Sequence, residues 1–291
     1  MTVRFSSNQV LESGVQGMEN ALSEAMSWNK KITSGKQYDR ASDNAYAVSR
    51  GVRLDFDISR LDMFKANQNF VASSHANAQT QMDSLVNEMN SLKQLLVQSQ
   101  SGTLNPSNFK ALKVQAEQIL IAMKQQMTAK DGTGNPIFFV GEPINQVQIE
   151  PNVMVDSGVK FNDAFGTGGT LRTPENSQMY INIQKFVTYL DEKGQNTGLT
   201  TQTADQVSAG LNASFDQLIM TVQRSGGVAA QVDNAKTAMS AFGVQLEASQ
   251  SALLDTDMAA ATASYTRAQT LLNAAQAMFA RLQQSNLFSK L

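Results

Sequence analysis

The chain has no cysteine, one histidine, one tryptophan and only five prolines in 291 residues. Without thiols there is no disulfide framework, no thiolate nucleophile and no cysteine-based zinc site, and one histidine leaves ordinary Cys/His metal coordination without partners. Imidazole acid–base chemistry is confined to His75. An excess of one charge is also missing. The 23 basic and 25 acidic side chains give a formal net charge of −2, which excludes a phosphate-coating basic face, so no nucleic acid partner is expected. No stretch approaches the roughly 18 uninterrupted apolar residues of a membrane span. Residues 1–10 lack the continuous apolar core of a secretory signal. The expectation is a soluble chain that, if it leaves the cell, does so without a cleaved signal peptide.

What the chain does contain is amides, alanine and long apolar repeats. The 51 Asn and Gln side chains exceed the 48 charged ones. Four of the five prolines (Pro136, Pro143, Pro151, Pro174) and half of the 18 glycines fall between Asp131 and Gly198, among Phe138, Phe139, Phe161, Phe165, Tyr180, Phe186 and Tyr189. That mixture predicts short strands and turns, followed by a short helix around Gln178–Leu190. The flanks are rich in Ala, Leu, Met and Gln and nearly free of proline, which favours helix.

Spacing carries the helical reading. Leu61, Phe64, Gln68, Val71, His75, Ala78, Met82, Leu85, Met89, Leu92 and Leu96 alternate steps of three and four without a slip. Leu11, Val15, Met18, Leu22, Ala25, Asn29 and Ile32 repeat this near the start, and Phe109, Leu112, Ala116, Ile119 and Met123 after it. Val228, Val232, Ala235, Met239, Phe242, Leu246, Ser249 and Leu253 form a fourth seam, and Ala268, Leu271, Ala275, Met278 and Leu282 a fifth. A sustained 3.5-residue repeat demands helix-on-helix packing. The second segment, from Asp43 to near Gln100, would be roughly 85 Å long at 1.5 Å per residue.

Breaks are placed by turn chemistry. Gly35 suits a left-handed helix stop, and Ser42-Asp43 is expected to cap the next helix. Ser101-Gly102-Thr103-Leu104-Asn105-Pro106 is a turn with a restart at Ser107. Ser225-Gly226-Gly227 is expected to separate two helices, and Asp255-Thr256-Asp257 to interrupt or re-cap the last. The first and last arms each show one apolar stripe needing a partner, and the economical arrangement pairs them with each other.

Candidate chemistry is sparse. His75, on a seam between Val71 and Ala78, reads as a packed histidine. Asp255 and Asp257 suggest a cation site only weakly, because capping explains them. Gly166-Thr167-Gly168-Gly169 lacks the Lys-Ser/Thr of a phosphate loop, and the sequon Asn212-Ala213-Ser214 sits in a helical pattern. Met258–Leu291 carries Arg267, Arg281, Lys290 and no acidic residue. Burial against other helices is favoured over a membrane-surface helix, because three charges attract lipid weakly. No nucleophile–base pair can be assembled, so no catalysis, cofactor or metal is expected.

These same positions carry a family resemblance. Val3-Arg4-Phe5-Ser6-Ser7, Ile32-Thr33-Ser34-Gly35-Lys36, Ala41-Ser42-Asp43-Asn44-Ala45, Ser101-Gly102-Thr103-Leu104, the stretch Asp131-Gly132-Thr133-Gly134-Asn135-Pro136-Ile137-Phe138-Phe139-Val140-Gly141 and the ending Ser285-Asn286-Leu287-Phe288-Ser289-Lys290-Leu291 follow one another in the order found in flagellin-like proteins. Ala241-Phe242-Gly243-Val244-Gln245-Leu246-Glu247 resembles a pattern shared with filament flagellins. Prolines of the family pattern are absent at Ala41 and Ala45, and Pro136 stands where it has tyrosine. The chain resembles the flagellin superfamily, and within it the branch that joins hook to filament.

The resemblance implies a structural component of the bacterial flagellum, exported unfolded through the flagellar type III route. Its implied partners are the hook-side junction protein (hook-associated protein 1), the flagellin filament, neighbouring copies in a ring, and a cytosolic export chaperone at the C-terminal region. A filament flagellin is the runner-up, and a soluble coiled-coil adaptor the more distant one. The expected fold is mainly α: an elongated antiparallel coiled-coil or helical-bundle rod formed by both termini, with a small β-rich insert domain in the middle. Terminal arms would comprise 1–42 with 255–291, paired and ordered on assembly; the rod 43–130 with 204–254; and the insert 131–203. The expected assembly interface is Leu11, Val15, Met18, Leu22 and Ile32 with Ala268, Leu271, Ala275, Met278, Leu282, Leu287 and Phe288. The amide-rich surface would let identical subunits pack without like-charge repulsion.

Overall fold

A computed structural model describes residues 7–38, 40–141, 144–167 and 173–288, with side chains of the terminal helices described from residue 12 to residue 281. The protein is mainly helical. In order, it forms α1 (Ser7–Ser34), α2 (Ala45–Ser99), α3 (Pro106–Met127), β1 (Phe138–Phe139), β2 (Gln146–Glu150), β3 (Val153–Asp156), β4 (Val159–Lys160), α4 (Phe161–Phe165), α5 (Gln178–Gln195), α6 (Ala204–Leu254) and α7 (Met258–Phe288). Two compact units result. One holds the residues up to Arg60 together with those from Phe242 onward; the other is Leu61–Ala241.

The helices begin and end where side-chain chemistry satisfies their free backbone groups. α1 stops at Gly35, whose φ of +69° suits a residue without a Cβ, and whose amide returns to the Lys31 carbonyl at 2.9 Å. α2 is capped by Asn44, whose Oδ1 accepts from the Ala47 amide at 3.0 Å. The expected cap, Ser42-Asp43, instead closes the preceding turn, with Asp43 Oδ2 accepting from the Arg40 amide at 3.0 Å. α3 starts one step before the expected Ser107. Asn105 caps it through the Asn108 amide at 2.9 Å, and Pro106 takes the first helical position, where its missing N–H is harmless.

The larger departure is α6, one helix of 51 residues that runs straight through Ser225-Gly226-Gly227. Two glycines cost about 1 kcal/mol each relative to alanine in a helix interior. Packing outweighs this: Ser225 is buried, with its hydroxyl 2.8 Å from His75 Nδ1, and Val232 is buried two turns beyond it.

All eleven residues of the long α2 seam, Leu61 to Leu96, are buried. In the second unit the seam from Ala78 to Leu96 shares one core with Met123 of α3, Phe186 and Leu190 of α5, and Leu211 and Leu218 of α6, while Val71 packs in a smaller cluster with Ile149, Val155, Val232 and Ala235. Phe138, Phe161 and Phe165 belong to the same core, so the 131–203 stretch is built onto the helices and does not stand apart from them. Phe165 meets Phe138 and Phe161 edge-on, each at a centroid distance of 4.8 Å. Strand content in the stretch is modest. β1 and β4 pair parallel over two residues, while β2 and β3 form a hairpin in which Pro151 and left-handed Asn152 make the turn. The 18-residue α5, packed along α3, is its longest element.

Polar side chains on and beside the α2 seam have a use that their spacing did not announce. Gln68 Nε2 donates to the Ile149 carbonyl and Asn67 Nδ2 to the Gln148 carbonyl, both at 2.8 Å, so amides of α2 hold the β2 edge of the hairpin. Gly158 lets the β3–β4 turn approach closely, since a Cβ there would lie 2.5 Å from the Phe139 ring and 2.6 Å from Ser74 Oγ.

Candidate assembly interface

The first unit pairs α1 with α7. The two run antiparallel: Gly14, near the start of α1, lies beside the Phe279 ring near the end of α7, and the Gly35 carbonyl accepts from the Thr256 amide at 2.9 Å. The connectors are tied together as well. Gln37 N donates to the Leu254 carbonyl at 2.7 Å, and Lys36 pairs with Asp255 as an antiparallel bridge. Asp257 Oδ1 accepts from the amides of Ala259 and Ala260 at 2.9 and 3.0 Å. This acidic pair therefore splits into a bridge and a helix cap. Among the described residues no group of three His, Asp or Glu side chains could hold a metal ion.

The contact between the two helices is made by small residues. Ala21 and Ala25 of α1 and Ala261 and Ala268 of α7 are buried. Flanking them, Gly14, Met18, Trp28 and Ile32 on α1 and Leu272, Ala275 and Phe279 on α7 are half-buried. Trp28 is held by Lys31, whose Nζ lies 4.6 Å from the ring centroid.

The expected interface residues divide across this arrangement. Met18, Ile32, Ala268 and Ala275 lie in the α1–α7 contact. Val15, Leu22, Leu271 and Met278 do not; they are 39%, 49%, 53% and 65% exposed. The side chains of Leu11, Leu282, Leu287 and Phe288 lie outside the described residues. Each helix thus has two stripes where the spacing suggested one. The internal seam uses Gly14, Ala21 and Trp28, one residue before Val15, Leu22 and Asn29, because small side chains let the backbones approach. The glycine–alanine spacing from Gly14 to Ala21, and the alanines at 261, 268 and 275, carried that signal.

The other sequence candidates have structural roles. His75 is buried, with Nδ1 2.8 Å from Ser225 Oγ and Nε2 3.2 Å from the Asp156 carbonyl. This geometry fits a neutral ring that donates from Nε2 and accepts at Nδ1. Burial pushes its pKa below the ordinary 6.5, against the opposing pull of Asp156. In the unfolded chain the ring takes up a proton near its ordinary value, so the unfolded state binds more protons between the two pKa values. Stability should therefore fall as pH drops from 7.5 to 5.0, and His75→Gln should lessen that fall. Urea midpoints at both pH values for the two proteins check this; equal pH dependence would remove His75 as the cause. Ser214 of the sequon is buried inside α6 and accepts from Asn182 Nδ2 at 2.9 Å. Gly166, at φ +73°, ends α4, and Gly168 and Gly169 lie outside the described residues. Among the described residues no helix is long and apolar enough to cross a membrane.

Residues 5–132 match the family model of the bacterial flagellin N-terminal helical region, and residues 219–291 that of the C-terminal helical region. Flagellar hook-associated protein 3 of Escherichia coli (strain K12) is 20% identical over 315 residues, an alignment covering 98% of this chain and 99% of that protein. The crystal structure of flagellar hook-associated protein 3 from Legionella pneumophila shares the fold at a TM-score of 0.57 and 10% identity, over 69% of this chain and 98% of that one. A structure of the flagellar junction protein from the same organism gives 0.55 and 12%, over 71% and 100%.

Proposed function

This chain belongs to the flagellin family and is a structural component of the flagellum, and we propose that its place is the junction where hook meets filament. The observation that carries this reading is the pairing of the two flagellin-type terminal helices, which leaves large apolar side chains of both uncovered. A helix pair with unburied stripes gains stability only from further partners, because each ordered residue costs about 1–2 kcal/mol of backbone entropy. The terminal arms accordingly order on assembly, when hook-side junction protein, filament flagellin and neighbouring copies cover those stripes. Before export, a cytosolic chaperone covers the α7 stripe around Leu271 and Met278. Travel to the cell exterior uses the flagellar export route.

Cells lacking this chain are expected to keep their hooks and to release unassembled flagellin into the medium. Isolation of hooks and immunoblotting of the supernatant check this. Hooks without released flagellin would make the chain the filament protein itself, and intact filaments would end the junction reading.

A further inference from the structure

The spacing of Phe70, Ser73, Ser74 and Asn77 puts all four on one face of α2. That face is not the seam used by Gln68, Val71 and His75. Together with the segment 131–139 it lines a cleft of about 420 Å³ that lies wholly within the second unit, inside the range of about 300–1,000 Å³ typical of small-ligand sites.

One wall of the cleft is apolar. Phe70 lies off the seam and is 55% exposed, and Phe139 and Pro136 line the same space. The remaining wall of α2 is polar and available. Elsewhere on this helix the hydroxyls of Ser59, Thr80, Ser84 and Ser91 donate back to the carbonyl four residues earlier. The hydroxyls of Ser73 and Ser74 do not, and the Asn77 amide group is equally without a hydrogen bond among the described residues. The opposite rim is fixed in advance. Asp131 Oδ1 accepts from the Thr133 hydroxyl at 2.7 Å and from the amides of Thr133 and Asn135, both at 2.9 Å. The Asp131 amide closes the loop by donating to the Asn135 carbonyl at 2.8 Å. A loop already ordered in this way loses little freedom when a ligand arrives. The hydrogen bonds from Thr133 and then Asn135 also hold the Asp131 carboxyl below its ordinary 3.8, so the group is ionised at neutral pH. All three bonds fall on Oδ1, which leaves Oδ2 to accept from a ligand.

Charge narrows the class of ligand. No Lys, Arg or His lines the cleft, so nothing there neutralises a phosphate or a carboxylate. One carboxylate is too few for a metal ion. What fits is a neutral molecule with an apolar face and several hydroxyls, and a sugar ring is of this kind. Its C–H face covers an aromatic ring, its hydroxyls need groups that both donate and accept, as Ser and Asn do, and they donate strongly to an ionised carboxylate. We propose that this cleft binds a neutral saccharide, with its C–H face against Phe70 and its hydroxyls on Ser73, Ser74, Asn77 and Asp131. The site lies outside α1 and α7 and does not rest on the junction reading.

Saturation-transfer NMR on the full chain tests this with methyl mannoside, methyl galactoside and N-acetylglucosamine, and with uridine as a flat-ring comparison. Transfer to the protons of at least one of the three sugars is expected, with binding in the millimolar range. It should fall several-fold in Phe70→Ala and in Asn77→Ala. Both positions are exposed on α2, where alanine favours helix, so neither change disturbs the fold, and unchanged circular dichroism verifies this. Phe56→Ala removes another exposed phenylalanine of the same helix, outside the cleft, and should leave the signal as it is. Absence of transfer to all three sugars would overturn the site, as would equal transfer in the wild-type chain and every variant. Transfer to uridine and to none of the sugars would overturn the saccharide assignment.

Discussion

A chain ending at Asp257 folds its second unit and never enters the flagellum. Removal of 258–291 strips the α1–α7 seam of Ala261 and Ala268, both fully covered in the intact protein. α1 then has no partner on either stripe. A lone helix of 28 residues with a costly nucleus and little buried surface is marginal in water. The second unit, by contrast, keeps every member of its two buried clusters, which are drawn from residues 71–235. Far-UV circular dichroism should show the loss of helix signal from both terminal segments, with a cooperative melt surviving for the remainder. In cells the truncated chain should leave hooks bare of filament. Filaments attached normally to hooks carrying the truncated chain would show that α7 is dispensable for assembly.

Phe165→Ala should cost the second unit about 3–5 kcal/mol, the range for deleting a large buried aromatic side chain. Phe165 is almost completely buried, and it is the ring that both Phe138 and Phe161 approach edge-on. It therefore joins β1 and α4 to the helical core, and alanine there leaves a cavity between segments that cannot collapse independently. Chemical denaturation should show a lower midpoint with an unchanged slope. Phe242→Ala is the contrast, because Phe242 is half exposed on α6, and its midpoint should move far less. Equal shifts in the two variants would mean that the aromatic cluster does not hold the inserted strands in place.

Much of this architecture was readable before any coordinates, for a physical reason. A 3.5-residue repeat sustained from Leu61 to Leu96 can be satisfied only by burial along one side of a helix, and every position of it is buried. Gly35 and Asp257 were equally legible, because left-handed stops and carboxylate caps are decided locally. The misread places depended on partners distant in sequence. Ser225-Gly226-Gly227 looked like a break because propensity does not see His75, 150 residues away, bonded to Ser225. On α1 hydrophobicity favours Val15 and Leu22, whereas close packing puts Gly14 and Ala21 in the contact beside the expected Met18, Ala25 and Ile32. The parallel pairing of Phe138–Phe139 with Val159–Lys160 left no trace in strands of two residues. Along the α1–α7 contact, Ala25, Ala268 and Ala275 fall on the expected seams, whereas Gly14, Ala21 and Ala261 do not.

A repeating apolar seam has an inherent ambiguity: sliding a helix by seven residues presents nearly the same pattern to its neighbours. On α2 that degeneracy is lifted by Gln68 and His75, seam members one heptad apart. They engage different acceptors, the carbonyls of Ile149 and Asp156 at opposite ends of the hairpin. A slip by one heptad in one direction would set Leu61 where Gln68 belongs and Gln68 where His75 belongs; in the other it would set His75 in the place of Gln68 and Met82 in that of His75. The first slip strands the buried Ile149 carbonyl opposite an apolar side chain and the second the half-buried Asp156 carbonyl, at a penalty of up to about 1–3 kcal/mol per lost partner. The two polar residues act as a vernier that selects one alignment from several of nearly equal apolar content. The alignment so chosen is the same in every copy of the chain, because it is decided by hydrogen-bonding partners and not by apolar content.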